Sequence, residues 1–167
     1  TVLENANRNQ NWPKNSIRRV TILLAADADV NNLASIELLR STTSNNFEDA
    51  VADNWDLKEL TVTATFKKGT VTDKYKLFEK ISIRGAILNR FKGGRNCDCN
   101  KTYAFNTPQL TSGTSKWIDK IPPPQKTTIS VVFGNGGDDL RGGSDNAKVI
   151  IVFKNNTRTL VYNNLNN

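Results

Sequence analysis

No histidine and no methionine occur anywhere in the 167 residues, and cysteine appears only twice. Without histidine the chain lacks the side chain that most often acts as general base at neutral pH. Every Ser-His or Cys-His nucleophile arrangement goes with it. Catalysis would rest on carboxylates or lysines alone, so the expectation is a non-catalytic protein. A chain without methionine that begins at Thr1 is what a processed or excised piece shows. The corresponding expectation is a secreted, extracellular protein already relieved of its signal peptide. No apolar run approaches the roughly 18 residues of a membrane span, so no transmembrane segment is expected. The two cysteines, Cys97 and Cys99, stand one residue apart in N-C-D-C-N. That spacing is tighter than paired zinc ligands adopt, and no further Cys or His is there to complete a site. A bridge between loop cysteines, or to another chain in an oxidising compartment, is the expected reading.

Charge is present, and it is uneven. Residues 1–64 carry a net −3, residues 65–127 a net +9 and residues 128–167 a net +1. The middle third therefore supplies the whole excess of the +7 chain. Lys67, Lys68, Lys74, Lys76, Lys80, Arg84, Arg90, Lys92 and Arg95 follow at short intervals along what reads as strand. Such a stripe attracts anionic glycans, anionic lipid or nucleic acid. It is equally what an edge hairpin carries to block edge-to-edge pairing. Single-strand binders interleave stacking aromatics with their charge, and none accompany it here, so nucleic acid is the less expected partner.

Periodicity favours strands. Leu60, Val62, Ala64 and Phe66 alternate with Thr61, Thr63 and Thr65, which predicts a half-buried strand with a threonine face. Val20, Ile22 and Leu24 alternate with Thr21 and Leu23, and Tyr75, Leu77, Ile81 and Ile83 share one parity. Ile129 to Phe133 and Leu160 to Tyr162 are shorter candidates, and A-K-V-I-I-V-F at 147–153, apolar on both faces, predicts a central strand. No segment shows a period of 3.6; Leu33 to Leu39 is the one helix candidate, and it too reads as strand. Clusters of Asn, Asp, Gly and Ser at 26–32, 41–46, 134–146 and 154–157 supply the turn chemistry. Short strands between turn clusters predict an all-β fold, a β-sandwich or jelly roll. Residues 1–66 and 128–167 are expected to form one sandwich together. Residues 67–121 are then a basic, β-rich insertion or extension, with the proline run of 122–127 as a stiff connector.

Two motifs carry a resemblance: G-G-D-D-L-R-G-G-S-D-N-A-K-V-I-I-V-F at 136–153 and D-N-W-D-L-K-E-L-T-V at 53–62. Together they resemble PLAT (lipoxygenase-homology) β-sandwich modules, in which a glycine-acid turn leads into a central strand and a Trp-x-Leu element opens a late strand. The matching residues are Gly143, Ser144, Asp145 and Ala147, then Trp55, Leu57 and Val62, with Asn146 an extra residue in the turn. The order is reversed relative to that family. The resemblance thus implies a circular permutant, an excerpt of a tandem array, or a subunit completed by a neighbour's strands.

Calcium takes six to eight oxygens from carboxylates, amides and backbone carbonyls on bent loops. The 134–146 loop offers Asp138, Asp139, Asp145 and Asn146 beside Gly136, Gly137, Gly142 and Gly143. Asp27, Asp29 and Asn31 give D-x-D-x-N spacing, though Asn32 and Leu38 stand where an EF-hand needs Gly and Glu. Asp53 and Asp56 flank Trp55. The resemblance to calcium-holding PLAT modules strengthens the expectation of Ca²⁺, against the plain alternative that Asp and Gly are good turn residues. Trp12, Trp55 and Trp117 read as core rather than as sugar platforms. Two functions follow as expectations. One is a calcium-supported binding or adhesion module for glycan or anionic lipid surfaces, with Lys67, Lys68, Lys74, Lys76, Arg84, Arg90, Lys92 and Arg95 as contacts. The other is a structural subunit of an extracellular filament or adhesin array, sharing β-strands with copies of itself.

Overall fold

The computed structural model describes residues 2–3, 11–24, 30–42, 54–92, 100–114, 126–138, 140 and 145–155. The strands are β1 (Val2–Leu3), β2 (Ile17–Leu23), β3 (Leu33–Thr42), β4 (Trp55–Lys68), β5 (Val71–Ile81), β6 (Asn89–Phe91), β7 (Asn100–Ala104), β8 (Gln109–Ser112), β9 (Lys126–Asn135) and β10 (Asp145–Phe153). The remaining helical structure among these residues is two single turns of 3₁₀ helix, at Val30–Asn32 and Ile83–Gly85. None is long and apolar enough to cross a membrane.

Two antiparallel sheets result. One runs β1-β10-β3-β7; the other runs β2-β9-β4-β5-β8, with β6 added beside β4. The pairings nest. β4 pairs β5 at the centre of the sequence, then β3 pairs β7, β2 pairs β9 and β1 pairs β10. A long antiparallel ribbon rolled so that its successive pairs fall in alternate sheets is a jelly roll. The fold is an all-β sandwich.

Alternation decides which side chains meet between the sheets. Leu60, Val62, Ala64 and Phe66 of β4, Ile129, Val131 and Phe133 of β9, and Ile22 of β2 are fully buried. They join Ile36 and Leu38 of β3 and Val149 and Ile151 of β10 in one core cluster. Residues 71–81 lie within the stretch expected as a basic insertion. They form a strand of the larger sheet and place Tyr75 and Leu77 in that same core. Strand β10 is central, flanked by β1 and β3. Its Ile150 and Val152 point away from the core and form a second small apolar cluster with Leu39, as expected of a strand apolar on both faces.

One predicted parity fails. Tyr75 and Leu77 face inward, but Ile81 is exposed and Ile83 leaves the strand for a 3₁₀ turn. Val62 pairs Phe78 while Thr63 pairs Lys76, so Leu77 is an extra residue bulged against β4. An extra residue reverses the inside-outside assignment of all that follows it. Past the bulge Phe78 packs against the core, and Ile81 turns outward opposite Glu59. Leu160–Tyr162 and the proline run lie outside the described residues.

Candidate functional site

Strand β4 spans 14 residues, and its two ends carry different chemistry. At the Trp55 end, three buried residues in succession open the strand. Trp55 stacks on Phe91 with ring centroids 4.7 Å apart, and lies edge-on to Trp12 at 6.0 Å. Its Nε1–H donates to Asn135 Oδ1 at 2.9 Å. The Asn135 amide in turn donates to Ser16 Oγ at 2.9 Å and to the Pro13 carbonyl at 3.3 Å. Trp12 and Trp55 are therefore core residues; Trp117 lies outside the described residues.

Asp56 is buried beside them and both its oxygens are taken. Arg90 Nε donates to Oδ1 at 2.7 Å and Arg90 Nη2 to Oδ2 at 2.9 Å. This bidentate pairing, rather than a free cation, is what the register makes of Arg90, since β6 sets it opposite Asp56. The hydrogen bond and charge of Asp56 raise the Arg90 guanidinium further above its usual value, with Asp138 adding a smaller push. The Asp56 backbone is engaged as well. Its carbonyl accepts from Gly136 N at 2.7 Å, and its N–H donates to the Asp138 carbonyl at 3.4 Å. The Gly136 carbonyl accepts from Asn15 N at 2.9 Å. A Cβ on Gly136 would come within 2.5 Å of the Asp56 Cβ, so glycine is needed here for close approach.

The structure thus brings Asp56 and Asp138 to one end of the sandwich, as parts of a hydrogen-bonded lock. Asp145 and Asn146 begin β10. Asp27, Asp29, Asp53 and Asp139 lie outside the described residues. Among the described residues no group of three or more His, Cys, Asp or Glu is placed to hold a metal ion.

The other end of β4 is built from lysines. β4 and β5 meet in a two-residue turn, Gly69-Thr70, where Gly69 takes φ +58°. Lys67 stands directly opposite Lys126 of β9 and, on its other side, opposite Thr72 of β5. Lys74 is two residues along β5 from Thr72 and pairs Thr65. Lys67, Lys74 and Lys126 therefore share the outer face of the larger sheet, all three exposed. Lys68, on the opposite parity, is exposed beside the turn. Cross-strand neighbours stand about 5 Å apart at Cβ and diagonal ones roughly 7–8 Å, and like charges so placed repel. Among the described residues none of these four forms a salt bridge. Lys76 differs: it pairs with Glu79 at 2.8 Å.

Behind the lysines the same outer face is hydroxylated. Successive rows across the sheet read Lys74-Thr65-Thr128-Leu23 and Lys76-Thr63-Ser130-Thr21. A further row reads Glu79-Thr61-Val132-Arg19. The threonine face was legible in the sequence. Lys126 was not singled out there, because nothing short of the β4–β9 register places it beside Lys67. Of the other cations expected as contacts, Lys92 is exposed just past β6, Arg84 sits in a 3₁₀ turn and Arg95 lies outside the described residues.

A cleft of about 450 Å³ opens at one end of the sandwich, lined by Leu33, Ala34, Leu77, Phe105, Asn106 and Lys154 among others. Among the described residues that line it there is no acid-base pair. No family model matches this chain, and no curated protein or solved structure gives a significant match.

Proposed function

We propose that this jelly roll is a non-catalytic binding module for a linear anionic glycan. The contact is the lysine-bordered outer face of its larger sheet, in an extracellular setting. The observation that carries the reading is Lys67 set directly against Lys126, with Lys74 diagonal to Lys67 on the strand at its other side. Three like charges held on one rigid face raise the free energy of the unbound protein, and a polyanion lying across them removes that repulsion. Lysine presents a point charge suited to sulfate or carboxylate. The adjoining Thr63, Thr65, Thr128 and Ser130 offer donors and acceptors to sugar hydroxyls. The rows of this face present no aromatic ring, which disfavours a ligand that must stack its bases. The reading needs no calcium at the Trp55 end, where Arg90 already neutralises Asp56.

The test is elution from immobilised heparin by salt. Retention should fall steeply with ionic strength, because screening shortens to about 8 Å in 0.15 M salt. Replacing Lys67, Lys74 and Lys126 with Gln should abolish retention, whereas replacing Lys14, Lys148 and Lys154 with Gln, the same loss of charge, should lower it only slightly. Equal losses from both sets would reduce the effect to net charge and remove the site. Tighter binding to duplex DNA than to heparin at matched charge would replace the glycan as ligand.

A further inference from the structure

The connection from β7 to β8 crosses one end of the sandwich. Phe105 N–H donates to the Ala34 carbonyl of β3 at 2.8 Å, and Asn106 N–H to the Leu77 carbonyl of β5 at 2.9 Å. Consecutive peptides are thus tied to different sheets, β3 belonging to the smaller and β5 to the larger. Just past β10, the Lys154 N–H donates to the Asn32 carbonyl at 2.8 Å. These bonds hold the backbone around the cleft of about 450 Å³, which falls within the roughly 300–1,000 Å³ of ligand pockets. Burial grades its lining. Leu33 and Leu77 belong to the buried core cluster, and Phe105 packs against that cluster half-buried. Asn106, Thr107 and Lys154 are exposed. The cleft is therefore apolar at depth and polar at its mouth. Lys154 is the one charged side chain among the described residues that line it.

We infer that this cleft binds a small amphipathic carboxylate, its apolar body against Leu33, Leu77 and Phe105 and its head group at Lys154. The inference goes beyond the glycan contact and is independent of it, since Lys67, Lys74 and Lys126 take no part. Each part of the ligand follows from a part of the lining. A sugar would carry hydroxyls to a depth where the described side chains are hydrocarbon. A buried hydroxyl left without a partner costs more than its contacts return. An apolar body carries no such cost and gains by leaving water. The mouth selects the head group. One ammonium matches one negative charge, and the Asn106 carboxamide and Thr107 hydroxyl are donors of the kind a carboxylate takes. A phosphate is ordinarily held by several N–H donors or by the fork of an arginine. No arginine is among the described residues that line the cleft.

Calorimetric titration of the whole chain with octanoate, and separately with the uncharged octanamide, tests the inference. Octanoate is expected to bind about five-fold more tightly than the amide, the scale of an exposed ion pair. Lys154→Gln should bring octanoate down to the affinity of octanamide and leave octanamide unchanged. Lys154 is exposed, so this variant should keep the wild-type melting temperature. Ala34 lines the cleft half-buried, and Ala34→Phe places a ring in the open space. Both compounds should then lose their binding while the melting transition stays cooperative. Should that variant fail to fold, the Lys154 comparison decides alone. Lys67→Gln, Lys74→Gln and Lys126→Gln together should change neither affinity, which separates this site from the lysine face. A wild-type chain that takes up neither compound at millimolar concentration would overturn the inference. So would equal affinities for the acid and the amide, octanoate binding undiminished in Lys154→Gln, or binding that persists in a folded Ala34→Phe chain.

Discussion

The two ends of β4 show how one strand can close a core at one end and present charge to solvent at the other. At the Trp55 end the polar groups of Trp55 and Asp56 are answered: the indole by Asn135, the Asp56 carboxylate by Arg90, the Asp56 carbonyl by Gly136. At the Lys67 end like charges face each other with no described acid between them. Burial separates the ends. The first three residues are buried and the last two exposed. A buried polar group left unpaired carries its full desolvation penalty, so that end must be satisfied internally. An exposed lysine carries little penalty, so the far end is free to be arranged for something outside the molecule.

The largest effect should come from Trp55→Ala, which empties the aromatic cluster and orphans Asn135. A loss of about 3–5 kcal/mol in urea unfolding is expected, and a loss below 1 kcal/mol would mean that this end is not the lock described. Asp56→Ala should cost about 2 kcal/mol, less than a fully buried pair because the half-exposed Arg90 can turn to water. Measured beside Arg90→Gln, the aspartate variant should be the more damaging of the two, and the reverse order would break the assignment. The lysine end predicts the opposite sign. Lys67→Gln or Lys126→Gln should leave stability unchanged or raise it by up to about 0.5 kcal/mol, as repulsion across the pair is relieved, while heparin retention drops. A destabilised fold in either variant would mean that the lysines hold the sheet together.

The smallest effect concerns Tyr103, which packs against Phe78 with ring centroids 5.4 Å apart and accepts a hydrogen bond from the Asn89 amide. Burial raises its hydroxyl above the ordinary value of 10.0, the Asn89 bond opposing in part. The fold therefore favours the neutral phenol. That contribution is whole below pH 10 and is lost as pH rises through the raised value. Melting temperature followed above pH 10 should fall less steeply in Tyr103→Phe than in the wild-type chain; parallel curves would remove the effect.

Much of the sandwich was legible because alternation survives wherever one face is buried. The threonine face of β4 follows from it; β10 was legible instead as a run apolar on both faces, and Leu33–Leu39 as strand only for want of a helical period. What the sequence did not disclose shares a cause. Arg90 reads as one more cation in a basic stripe, and only strand pairing across 34 positions shows it spent on Asp56. Lys126 reads as a lone residue after a proline run until β9 is laid beside β4. Local pattern reports a residue's face but not its neighbour on the next strand, and charge acts between neighbours.

The bulge at Leu77 behaves as a frameshift written in space rather than in codons. Before it the odd-numbered residues Tyr75 and Leu77 are interior; after it the frame is reversed, and Ile81 is delivered to the surface. Inserting one residue just after Phe78 would reverse the frame a second time from there on. Glu79 and Ile81 would then be turned toward the core and Lys80 out of it, although composition and hydropathy would scarcely change. Single-residue insertions and deletions in β5 away from the bulge should therefore be tolerated far less well than substitutions at the same positions, and a compensating change a few residues away should rescue them.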